Sequence, residues 1–101
     1  VARFYSYLGL AQRAGKLASG EDAVEAAVRR GKVHLVIVAC DASANTKDRF
    51  EHMAKYRRID ILLAGSKAQL GAAVGKAQRA VIGVLDRGFA SLLKSAVEEK
   101  D

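Results

Sequence analysis

The sequence predicts an α/β/α sandwich, a single sheet with helices on both faces, and three observations carry that prediction. Segments with helical apolar spacing alternate with short apolar runs from one end of the chain to the other. The cores of "HLVIVAC", "DILLAG" and "AVIGVLD" are continuous rather than alternating, the pattern of strands covered on both faces. Half of the 101 residues are apolar, enough for one core in a domain that buries roughly 65% of its unfolded surface.

In chain order, "FYSYLGLAQRAG" sets Phe4, Leu8, Ala11 and Ala14 on one helical face, with Gly15 as the C-terminal stop. "KLAS" is a short strand. "SGEDAVEAAVRRG" returns to helical spacing through Ala23, Val24, Ala27 and Val28; Arg29 and Arg30 occupy the last turn and Gly31 ends it. After the strand "HLVIVAC", "NTKDRFEHMAKYRR" forms a helix on Phe50, Met53 and Ala54. "DILLAG" is a buried strand. Ser66 and Gln69 in "SKAQLGAAVGKA" have capping-box spacing, Gly71 permits close packing and Gly75 ends the helix. Following the last strand, "AVIGVLD", the segment "GFASLLKSAVEEK" faces the core with Phe89, Leu92, Leu93, Ala96 and Val97. Continuous strands imply a mainly parallel sheet, and periodicity leaves the direction of the short first strand open. No Pro, linker, repeat or low-complexity segment divides the chain, so residues 1–101 read as one domain.

Composition narrows the function classes. Seventeen basic residues against 11 acidic ones give a net charge of +6 and a pI near 9.8, which favours anionic partners through long-range attraction. No apolar run is long enough to span a bilayer, and the helices need their apolar faces for the core, so no membrane partner is expected. Without a signal-peptide pattern, and with Cys40 as the lone cysteine, the expected location is the cytoplasm. Val1 is not an initiator Met, which leaves room for a longer chain.

The catalytic inventory is thin. Cys40 closes an apolar strand, where a free thiol behaves as a small buried hydrophobe. His34 and His52 belong to no metal-ligand spacing. "LGLAQRAG" and "LGAAVGK" contain glycines, yet neither follows a strand and opens a helix as a dinucleotide fingerprint must. Neither a catalytic residue, a metal nor a cofactor is expected. Basic residues are more informative: many complement helix C-termini, but Lys76, Gln78 and Arg79 crowd a Gly-initiated loop feeding a buried strand, where binding residues concentrate.

"LGLAQRAGKL", "SGEDAVEAAVRRGK", "DASANTKDRF", "LGAAVGK" and "DRGFASLL", in that order and spacing, resemble the bacterial YlxQ-type branch of the kink-turn-binding ribosomal protein family. The resemblance covers essentially the whole chain. It implies a four-stranded mixed sheet with about five helices, and a non-catalytic protein that binds structured RNA, ribosomal RNA included. It also implies that the loop from the first strand to the second helix lies beside the loop from the fourth helix to the last strand. The implied RNA-binding surface is Lys16, Ser19, Gly20, Glu21 and Asp22 beside Lys76, Ala77, Gln78 and Arg79. The family's well-characterised RNA readers carry an Asn-Glu pair and a Lys on this helix, where Asp22, Ala23 and Ala26 stand here.

Glu21, Asp22 and Glu25 cluster at this helix start in an otherwise basic molecule. Ser19 and Asp22 fit an S-x-x-D capping pattern, which accounts for the acids as partners of the helix N-terminus, worth about 0.3–1 kcal/mol. The alternative function is a protein-interaction module of a ribosome- or transcription-associated assembly, its basic loops meeting an acidic partner.

Overall fold

The computed structural model describes residues 2–98; Val1 and the predicted continuation of the last helix into Glu99 and Lys100 lie outside the described residues. The chain runs α1 (Ala2–Arg13), β1 (Leu17–Ser19), α2 (Glu21–Arg29), β2 (Leu35–Val38), α3 (Ala44–Arg57), β3 (Asp60–Leu63), α4 (Lys67–Ala73), β4 (Val81–Val84) and α5 (Arg87–Glu98). All nine segments carry the type read from the sequence. Helices α1, α2 and α4 stop at the glycines that announce it: Gly15, Gly31 and Gly75 each have φ near +70°, a region that costs residues with a Cβ, while α3 ends at Arg58 with φ 57°.

Strand order is β1-β4-β2-β3. β1 and β2 both pair antiparallel with β4, and only β2 and β3 are parallel. The expectation of a mainly parallel sheet is therefore wrong, while the mixed sheet is right. A continuous apolar run reports burial on both faces, which β2 and β4 have along their whole length, and it carries no information about direction. Direction is set by α4. Arg79 N–H donates to Lys67 O at 3.0 Å, so the loop after this seven-residue helix returns to the helix's own start. The chain re-enters the sheet at the end it left, and β4 must run down.

β3 corrects a second expectation. It is an edge strand rather than a buried one, with Asp60 exposed and Leu63 51% exposed. Other shifts are smaller. Ala14 and Ala23 are exposed, and the buried stripe of α5 is Ala90, Leu93 and Ala96, leaving Leu92 outside.

Helices α2 and α3 cover the sheet side by side, α2 over β1 and β4, α3 over β2 and β3; α1, α4 and α5 pack together as the other layer. A Cβ on Gly83 would sit 3.3 Å from Val24 and 3.4 Å from Val33, which shows how closely α2 lies on β4. Phe4, Leu8, Phe50, Leu70 and Leu93 fill the two interfaces with the strands between them.

The register defines two ends of the sheet. Ser19 pairs with Ile82, Val38 with Val81, and Leu63 with Val38, so β1, β2 and β3 finish where β4 begins. The other end holds the residues before Leu17, Leu35 and Asp60 and those after Val84.

Candidate nucleic-acid interface

At the first of these ends an open cleft of about 520 Å³ lies between the start of α2 and the loop entering β4. Ser19, Gly20, Glu21, Asp22 and Ala23 form one wall; Gln78, Arg79 and Ala80 form the other, and Lys67 flanks them. Gly20 N–H donates to Val81 O at 2.9 Å, which fixes the walls to one another.

Local chemistry explains how each wall is built. Gly20 is the N-cap of α2, at φ 95° and ψ 154°, a conformation essentially confined to glycine. The expected Ser19–Asp22 cap does not form: no side chain caps this helix. Ser19 belongs to the β1 ladder opposite Ile82, one residue too early to cap. The first-turn N–H groups of α2 are therefore left without a side-chain acceptor, and such groups favour an anion. By contrast the capping box forms at α4: Ser66 Oγ accepts from Gln69 N–H at 3.0 Å and Gln69 Oε1 from Ser66 N–H at 3.0 Å. Asp41 Oδ1 also accepts from Lys67 N–H at 2.8 Å.

The facing loop is held by packing. A Cβ on Gly71 would lie 2.1 Å from the Ala77 carbonyl oxygen, so α4 touches the loop backbone, the close packing expected of Gly71. Arg79 Nη1 donates to Gln78 O at 3.0 Å and weakly to Ala77 O at 3.4 Å, which curls the guanidinium over its own loop.

The acidic cluster has a tertiary explanation that the sequence did not disclose. Arg49, on α3, binds Glu21 at 3.1 Å through one nitrogen and Glu25 through the other. Arg29 takes the second oxygen of Glu25 at 2.6 Å. Thr46 Oγ1 donates to Glu21 at 3.3 Å, and Ser43 caps α3 by accepting from Thr46 N–H. Glu21 and Glu25 thus join two neighbouring helices instead of opposing an anion. Asp22 has no side-chain partner among the described residues and is free to meet a ligand.

Of the residues named from sequence, Ser19, Gly20, Glu21, Asp22, Gln78 and Arg79 meet in the cleft. Lys76 and Ala77 precede them on the same loop without lining it. Lys16 does not join them: its carbonyl accepts from Leu85 N–H at 2.8 Å, which places it at the opposite end of the sheet, because it precedes β1 rather than following it. Lys67 escapes the sequence reading. Its signal is present, since the Ser66 cap makes it the first residue of a helix, but its proximity to Arg79 depends on the chain doubling back.

Cys40 is exposed, against expectation. β2 ends at Val38, and Cys40 lies beyond it in a turn where its N–H donates to Gly65 O at 2.7 Å. It does not line the cleft. Among the described residues no group of three His, Cys, Asp or Glu side chains could hold a metal ion, and no helix is long and apolar enough to cross a membrane.

Residues 2–94 match the model of the Ribosomal protein L7Ae/L30e/S12e/Gadd45 family. The chain belongs to this family. It is 38% identical over 95 residues to the RNA-binding protein YlxQ of Bacillus subtilis, covering 94% of this chain and 95% of that one. Identity to the RNA-binding protein YlxQ of Enterococcus faecium is 40% over 91 residues, covering 90% and 87%. A solved structure of a Bacillus halodurans protein of unknown function superposes with a TM-score of 0.93 at 40% identity, covering 98% of this chain and 100% of that one. The family resemblance read from the motifs is thereby established.

Proposed function

We propose that this family member is a non-catalytic RNA-binding protein that recognises structured RNA of the kink-turn kind, ribosomal RNA among the candidates, through the cleft between α2 and the α4–β4 loop. The observation that carries the proposal is the uncapped start of α2 facing Gln78 and Arg79, with Lys67 beside them. Phosphate takes the first-turn N–H groups, while Lys67 and Arg79 add positive charge and a fork-shaped donor. A Cβ at Gly20 would meet nothing within 4 Å, so the space at this entry is open to a sugar-phosphate backbone. Both YlxQ relatives, named as RNA-binding proteins, support the same reading.

Sequence selectivity rests on fewer groups than in readers with the Asn-Glu-Lys set. Asp22 accepts from a guanine N–H; Ala23 supplies only shape. Gln78, exposed on the facing wall, brings an amide with both donors and an acceptor and takes over the donor role that Asp22 lacks. Lys76 contributes attraction from the shoulder of the loop.

Fluorescence-anisotropy titration against a kink-turn RNA and a matched straight duplex tests this. Tighter binding to the kinked RNA is expected, and equal, feeble binding to both rejects it. Arg79→Gln should flatten log K against log salt for the kinked RNA by about 0.7–0.9 for each phosphate it leaves unneutralised.

A further inference from the structure

We infer that the end of the sheet opposite the cleft is a second, independent surface for the phosphate backbone of duplex RNA, so that one molecule can hold two RNA segments. Each strand carries an exposed cation at that end. Lys16 precedes β1, Lys32 precedes β2, Arg58 precedes β3 and Arg87 follows β4. Backbone hydrogen bonds fix the placement: Lys16 O accepts from Leu85 N–H, His34 N–H donates to Val84 O at 2.8 Å, and Leu35 pairs with Asp60. Arg30, at the C-cap of α2, and Arg57, in the last turn of α3, are exposed at the same end because both helices run down from the cleft.

None of these cations has an ion-pair partner among the described residues. Of the carboxylates that reach this end, Asp60 is paired with Lys94 at 2.6 Å, and Asp86, which accepts from Phe89 N–H at 2.8 Å, keeps its charge and offsets one of the cations. The cleft end differs, since Glu21, Asp22, Glu25 and Asp41 stand close to its basic residues. Helix C-termini explain part of the cation placement, but each carries only about half a negative charge, too little to balance a cation at every strand. Adjacent strands lie about 4.8 Å apart, within a Debye length of about 8 Å, so the cations repel one another until an anion arrives.

The row also has the dimensions of a duplex contact. From Lys16 at β1 to Arg58 at β3 it spans three strand intervals, about 14 Å, and a duplex presents about one charge per 1.7 Å of axis. Arginine predominates at the helix ends, and its planar fork suits phosphate better than a point charge does. This surface does not depend on RNA binding in the cleft.

The test measures binding of straight duplex RNA as a function of salt for the wild-type chain, for Arg30→Gln/Lys32→Gln/Arg57→Gln/Arg58→Gln, and for the charge-preserving variant with the three arginines changed to lysine. A salt slope shallower by about two for the glutamine variant, with near-retention for the lysine variant, supports the second surface. An unchanged slope in the glutamine variant overturns it, as does displacement of duplex by poly-glutamate at equal charge concentration as effectively as by unlabelled RNA. Absence of a preference for kinked RNA in the wild type would count against the cleft alone, leaving the slope comparison intact. Energy transfer between a labelled kink-turn RNA and a labelled duplex, seen with the wild type and abolished in the glutamine variant, is the expected signature of bridging; no transfer with the wild type rejects simultaneous binding.

Discussion

Arg49 on α3 reaches Glu21 at the first turn of α2 at 3.1 Å, and the same guanidinium binds Glu25. Removing it does two things. It releases a helix–helix tie, and it leaves Glu21 uncompensated beside the cleft while Glu25 keeps Arg29. Exposed pairs contribute roughly 0–1 kcal/mol each, so Arg49→Gln should lower unfolding stability by about 1 kcal/mol in urea denaturation. RNA affinity should fall as well, and adding Glu21→Gln to the variant should restore part of it. Affinity unaffected by Arg49→Gln would mean that these acids lie outside the electrostatic reach of the bound RNA.

Gly71 should be intolerant of a methyl group. The added carbon meets the Ala77 carbonyl at 2.1 Å, and backbone cannot rotate away as a side chain can. Gly71→Ala is expected to cost about 1–3 kcal/mol and to weaken RNA binding by displacing Gln78 and Arg79. Thermal unfolding and anisotropy titration measure the two effects.

Gly20 has room for a Cβ but the wrong backbone for one. Gly20→Ala should therefore destabilise the fold by about 1–3 kcal/mol through strain, although nothing clashes. A stability change below a few tenths of a kcal/mol would show that the α2 entry relaxes to a negative φ.

The capping box of α4 gives a contrasting case. Ser66→Ala removes the acceptor of Gln69 N–H and should cost about 0.5–2 kcal/mol. In this variant hydrogen exchange should accelerate more in α4 than in β2 or β4.

Tyr5 links stability to alkaline pH. Burial, and then the neighbouring Cys40, push its phenol above the ordinary value of 10. The folded state holds the proton more tightly than the unfolded one, so the contribution is constant below pH 10 and declines as pH rises through the raised value. Comparing phenolate absorbance of the wild type and Tyr5→Phe should isolate a titration above pH 10. A midpoint at or below 10 contradicts the burial argument.

The elements and their order are legible in the sequence because apolar periodicity is a local property: Phe4, Leu8 and Ala11 reveal α1 without reference to anything else. Strand direction is not legible, since β4 owes its orientation to the return of α4 and not to its own residues. The site is half legible for the same reason. Ser19 through Asp22 and Gln78–Arg79 can be grouped because motif resemblance places their loops together. Arg49 is invisible because it reaches acids 24 and 28 positions away, and Lys16 separates from the cleft because a strand of three residues stands between it and the Gly20 turn.

The closed excursion of α4 has a consequence for how such proteins diversify. Because Lys67 and Arg79 are bonded across its base, the residues between them form a cartridge inserted at one point of the scaffold. Its exposed positions can be exchanged without altering a register, while Leu70, Gly71 and Val74 tie it to the core. A lineage can therefore alter one lip of the cleft by local change on the exposed side of this insertion while inheriting the rest of the molecule intact.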